Sequence, residues 1–151
     1  MEDAIKNLEP WTDEATKQML QNVVKRKRKF DKYERLHFTV LWLTVIAFFL
    51  YAWYLYKTIY VLYSYSASVM FSAYVSDSNN VWFLFICFGL FGYMNVLKKK
   101  VDKYEEEYHA LRCEIIDKSS DLWQGEGWEK RHIVFKLMKE KYDINLYHEN
   151  K

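Results

Sequence analysis

"VVKRKRKFDKYERLHFTVLWLTVIAFFLYAWYLYK", residues 23–57, sets seven cations directly ahead of a long uncharged run rich in aromatic residues. The fold depends on what Lys25–Lys29 is: a clamp for nucleic acid, or the flank of a membrane span. From Phe38 to Tyr56 there are 19 consecutive uncharged residues. At about 1.5 Å of rise each, such a helix matches the roughly 30 Å hydrocarbon core of a bilayer. A second run, "VWFLFICFGLFGYMNVL" (81–97), has 17 residues and stops abruptly at Lys98-Lys99-Lys100. A soluble core helix would carry a polar face at every third or fourth position, and neither run does. Both runs predict transmembrane helices. Trp42, Trp53, Tyr54, Tyr56, Trp82 and Tyr93 include several rings near the run ends, where interfacial belts form.

The cations then set an orientation. Lys25, Arg26, Lys27, Arg28, Lys29, Lys32 and Arg35 precede the first run. Lys98, Lys99, Lys100 and Lys103 follow the second, and the connection offers only Lys57. The positive-inside rule predicts both termini in the cytoplasm. The basic cluster is thus read as a topological anchor, with the bilayer's anionic headgroups as its partner at about 1 kcal/mol per cation. Nucleic acid is not expected as a partner.

Composition agrees. The 151 residues allow one domain or a few helices, and a net charge of +2 conceals strong blocks. Residues 1–36 hold nine Lys/Arg and seven Asp/Glu, residues 37–97 hold only Lys57 and Asp77, and residues 98–151 hold twelve of each sign. One Pro and four Gly favour long helices. Cys87 and Cys113 fall in different environments and read as free thiols. The first twenty residues lack the apolar stretch of a cleavable signal.

The expected organisation is all-α. An N-terminal cytoplasmic helix occupies 1–36, with Thr12 as its N-cap after a boundary at Pro10. A first span follows over 37–57, an external or interfacial connection over 58–80, and a second span over 81–97. Cytoplasmic residues 98–118 form an amphipathic helix continuing the second span, and 119–151 a docking helix with a polar tail. Within the connection, 58–76 is uncharged. It reads as a helical extension and then an interfacial loop, with strand-like Ser alternation over 63–72; a third span is the alternative. Met94, Leu97, Val101, Tyr104, Tyr108, Leu111 and Ile115 recur at alternating three- and four-residue spacing, a short coiled-coil-like seam. Leu20, Val23, Phe30 and His37 form a broken counterpart, interrupted by Lys27 and Glu34. The two could pair within one chain, or the seam could pair with a second copy or another protein. Trp128, His132, Phe135, Met138 and Tyr142 form another stripe, and Trp123, Trp128 and Phe135 are expected to dock it.

Motifs for chemistry are sparse. His109 and Cys113 share a helix face with Glu105 or Glu106 a turn earlier, but zinc needs three or four ligands, so no metal is assigned. No nucleotide loop, nucleophile elbow or metalloprotease motif occurs, and no catalytic residue or cofactor is assigned. Asn95 is the amide placed to bond between spans. Gly89 and Gly92 support close packing only weakly.

"DLWQGEGWEKRHIVFKLMKEKYDINLYHENK" (121–151), together with "LEPWTDEATKQML" (8–20) and the two apolar runs, resembles the YpbF-like family of small two-span membrane proteins from Bacillus-type bacteria. That resemblance implies a bacterial plasma-membrane location and carries over no catalytic residue. The expected role is a non-enzymatic membrane adaptor that self-associates or binds a partner through its cytoplasmic helices. The alternative is a pore or transport accessory assembled from several hairpins.

Overall fold

The computed structural model describes residues 2–8 and 12–147; Pro10 and the end of the tail, including His148, lie outside them. The described residues are helical throughout, with no strand: α1 (Asp3–Lys6), α2 (Glu14–Leu55), a π-helical turn (Tyr56–Tyr60), α3 (Val61–Tyr63), α4 (Ala67–Ser76), α5 (Ser78–Asp117), α6 (Ser119–Leu122) and α7 (Glu126–Tyr142). α2 runs for 42 residues without Pro or Gly. Its start differs from the expected Thr12 cap by one residue: the Thr16 N–H donates to Asp13 Oδ1 at 2.8 Å, which makes Asp13 the cap. Thr12 is buried, and its hydroxyl has no partner among the described residues. Thr16, facing the Asp13 carboxylate with its side chain and N–H, holds that group below the usual carboxylate range.

The chain divides into two compact units, residues 1–32 with 101–151 and residues 33–100. In the first, one core gathers Ile5, Leu20, Val23, Val24, Tyr108, Ile115, Trp123, Val134, Phe135, Met138, Ile144 and Leu146. Trp123 is fully buried and meets Phe135 edge-on, with ring centroids 5.4 Å apart. Two expectations need correction here. The tail is not simply polar, because α7 ends at Asp143 in a left-handed conformation (φ 56°). The Asp143 and Ile144 N–H groups take the Lys139 and Met138 carbonyls. That turn sends Ile144 and Leu146 back into the core. Nor do Trp128 and His132 dock: both are exposed, with Arg131 stacked 3.3 Å from the Trp128 ring centroid. Val134, Phe135 and Met138 supply the buried face instead.

In the second unit, residues 33–55 of α2 lie antiparallel to residues 78–100 of α5. Lys100 sits over the Tyr33 ring at one end, and Tyr51 stacks on Phe83 at the other. Only a narrow stripe is covered: Val40, Thr44 and Tyr51 from α2, Asn80, Cys87 and Leu97 from α5. Most of the large apolar side chains outside it are exposed, including Phe49 at 68% and Trp82 at 70%. Both helices are long and apolar enough to cross a membrane, and 17% of each apolar window is buried within the protein.

The connection is more helical than the Ser alternation suggested. After the π-turn and α3, Ser66 is extended (φ −150°, ψ 123°) and α4 begins. Ala67, Met70, Phe71 and Tyr74 share one helical face along a groove, a three-four period that the intervening serines masked. The ten residues of α4 rise about 15 Å, half the thickness that a span requires.

Candidate functional site

Two arrangements concentrate the interactions, one in each unit. In the first unit the seam is core. Val101, Tyr108 and Ile115 are buried, Tyr104 is half-buried, and half-buried Leu111 packs against the same cluster. Tyr108 is 5% exposed and lies parallel to Phe30, centroids 6.2 Å apart at 4°. Lys27, which interrupted the upstream pattern, does not break the packing. Its ammonium lies over both rings, with Nζ 5.4 Å from the Phe30 centroid and 5.6 Å from that of Tyr108, and meets Asp31 at 2.8 Å. Burial works against the Lys27 charge, but the hydrogen bond and attraction from Asp31 outweigh it and raise its pKa. Burial likewise raises the Tyr108 phenol. The seam is thus occupied by the protein's own helix.

The other anchor cations are exposed, some of them with partners. Arg26 Nη1 donates to the Glu107 carbonyl at 3.0 Å, and Arg28 pairs with Glu2 at 2.7 Å. Lys25, Lys29, Lys32, Arg35, Lys98, Lys99 and Lys100 are exposed. Leu97 is buried within the second unit. His109 Nε2 lies 3.8 Å from Glu105, and among the described residues no three potential metal ligands converge.

The second arrangement ties α2, α4 and α5 together beside the connection. Asp77 stands in extended conformation between α4 and α5. Its Oδ1 accepts from the Asn79 N–H at 3.0 Å and its Oδ2 from the Tyr54 hydroxyl at 2.8 Å. It is therefore the cap of α5. Asn80, fully buried, donates from Nδ2 to the Tyr74 carbonyl at 2.9 Å. Tyr51 Oη lies 2.9 Å from Tyr74 Oη and 3.3 Å from the Asn80 carbonyl. Asn80 Oδ1 is buried and accepts no hydrogen bond among the described residues. Beside this knot runs an apolar groove of about 590 Å³ along Ala52, Leu55, Ile59, Ala67, Met70 and Phe71. The π-turn forms part of its wall; such turns recur at binding sites.

A family described as "Protein of unknown function (DUF2663)" matches residues 19–149. The chain belongs to this family. "Uncharacterized protein YpbF" of Bacillus subtilis (strain 168) is 37% identical over 152 residues, covering 100% of both proteins. No solved structure matches the chain. The resemblance to the YpbF-like family therefore holds as family membership, and the matched range of this DUF2663 chain takes in both the buried seam and the tyrosine knot.

Sequence reasoning missed the knot in this DUF2663 chain. It chose Asn95 as the inter-helix amide, but Asn95 Nδ2 turns back to the Phe91 carbonyl of its own helix at 3.1 Å. The Asn80 amide reaches α4, and Asn80 meets α2 through its backbone carbonyl. An available signal was Asp77 just ahead of an apolar helical run, a capping pattern. Gly89 and Gly92 do not mark close packing either: a Cβ added to either would meet nothing within 4 Å.

Proposed function

We propose that this DUF2663 protein is a non-enzymatic, multi-pass protein of the bacterial plasma membrane. Its two apolar helices cross as a hairpin with both termini in the cytoplasm, and its helical unit of residues 1–32 and 101–151 binds a partner protein. One observation carries the membrane reading: two helices of spanning length leave large apolar side chains exposed on nearly every side. A soluble protein would bury them, since contiguous apolar patches of this size are rare on soluble monomers. The cation blocks at 25–35 and 98–100 support the orientation.

The seam is not the contact face of this reading, because it is filled from within. A better surface is the groove of about 360 Å³ formed by Trp128, Arg131, His132, Phe135 and Tyr147. Among the described residues of that unit, the exposed large apolar side chains are Trp128, Ile133 and Tyr147. Aromatic and Arg side chains are the usual anchors of protein interfaces.

Alkaline extraction of membranes tests insertion. The chain should stay in the pellet after carbonate and enter the supernatant only with detergent; release by carbonate alone would reject the hairpin. For the adaptor role, Trp128→Ala with Tyr147→Ala should abolish recovery of a crosslinked partner while insertion persists. Unchanged crosslinking would reject this surface.

A further inference from the structure

The tyrosine knot and the groove beside it share Ile59, which lines both the apolar groove and a second pocket of about 410 Å³ bounded by Thr58, Tyr63, Ser76, Asp77 and Asn80. The two parts differ in chemistry. The groove, about 590 Å³, is lined almost wholly by carbon and falls in the size range of ligand sites. The second pocket holds acceptors that its own hydroxyls do not fully match. Asp77 receives one N–H and one hydroxyl but no cation among the described residues. Asn80 Oδ1, fully buried, receives nothing. Lys57, the one cation between Arg35 and Lys98, lies over the Trp53 ring at 5.6 Å. An unmatched buried acceptor is costly, and a carboxylate with spare lone pairs is best matched by a charged donor. The complement to both parts is a molecule with an apolar body and a cationic head that donates hydrogen bonds.

We propose that residues 52–80 bind one phospholipid with a primary-ammonium headgroup, an acyl chain in the Ala52–Phe71 groove and the ammonium against Asp77 and Asn80 Oδ1. This rests on the membrane reading above, since it takes the bilayer as the source of the ligand. A primary ammonium offers three N–H donors. A trimethylammonium head has the same charge and no donor, and a glycerol head on an anionic phosphate has hydroxyl donors but meets the carboxylate with the wrong sign. The site therefore selects by donor count and charge together.

Native mass spectrometry of the full chain in detergent, titrated with phospholipids of identical chains and ethanolamine, choline or glycerol heads, reads this directly. The ethanolamine lipid should form a one-lipid adduct about tenfold or more tighter than the other two, the effect of a charge-assisted hydrogen bond. Asp77→Asn keeps a capping side chain for α5 and should erase that preference without loss of chain binding. Ala52→Phe fills the groove and should weaken all three lipids alike. Equal binding of the three heads by the parent protein, or a preference that survives Asp77→Asn, overturns the proposal and leaves the hairpin untouched. Release of the chain from membranes by carbonate removes the hairpin reading, and this proposal with it.

Discussion

Replacing Tyr108 by Ala separates a seam that is core from a seam that joins two copies. The ring is 5% exposed, stacked on Phe30 and capped by Lys27. Truncating an aromatic side chain in such a site removes its transfer energy and leaves a cavity, together about 3–5 kcal/mol. At about 1.4 kcal/mol per factor of ten, the open population of the unit should rise roughly 10²–10⁴-fold. Hydrogen exchange of the detergent-solubilised full chain reads it in amides of residues 14–32 and 126–142, which share the core with Tyr108. The acceleration should be the same at two protein concentrations tenfold apart, because a core within one chain has no concentration term, whereas an interface between copies does. Half-buried Tyr104 provides the scale: Tyr104→Ala should cost distinctly less. Unchanged exchange in both segments, with a fall in crosslinked dimer, would refute the assignment of the seam to the protein's own core.

Trp123→Ala should also cost about 3–5 kcal/mol in the same unit, because the indole is fully buried against Phe135; a loss of unfolding free energy in denaturant titration under a third of that size would count against it. Asp13→Ala should cost about 1 kcal/mol at neutral pH. Its carboxyl is held low in the folded protein, so this contribution is present above the ordinary carboxyl range and disappears as pH falls through the lowered value. Parent and variant should therefore converge in acid titrations of stability. Burial raises the Tyr108 phenol, so its neutral form stabilises the fold below about pH 10 and that contribution is lost as pH climbs through the raised value; Tyr108→Phe should blunt the alkaline loss seen by circular dichroism. Tyr54→Phe removes the hydroxyl bonded to Asp77 at about 1 kcal/mol, and protease cleavage within 64–77 should rise without loss of insertion.

Long-range composition makes the two apolar helices and the seam legible in the sequence alone. Nineteen uncharged residues in a row, and Val101, Tyr108 and Ile115 at a three-four period, are signals of many residues agreeing. What escaped was decided by one or two residues acting across distance. Asp143 in a left-handed conformation reverses the chain and converts Ile144 and Leu146 from tail to core, and no periodicity announces a single positive φ. Ile5 enters the same core from a four-residue helix too short for any pattern to show. In the knot, Asp77 and Asn80 carried a readable cap signal, but the Tyr51 and Tyr54 hydroxyls and the Tyr74 carbonyl that meet them come from other helices. Lys27 reads as an interruption of the seam when its charge is weighed without the two rings and the Asp31 carboxylate that receive it.

The hairpin itself is tested most directly by thiol accessibility in intact cells. With Cys87 and Cys113 changed to Ser, single cysteines placed at Ser78 and Gln124 report the two ends of the proposed crossing to a membrane-impermeant maleimide. The cysteine at 78 should label in intact cells, and that at 124 only after the cells are opened. Labelling of both before lysis, or of neither until lysis, would contradict a chain that crosses the bilayer twice with its termini inside.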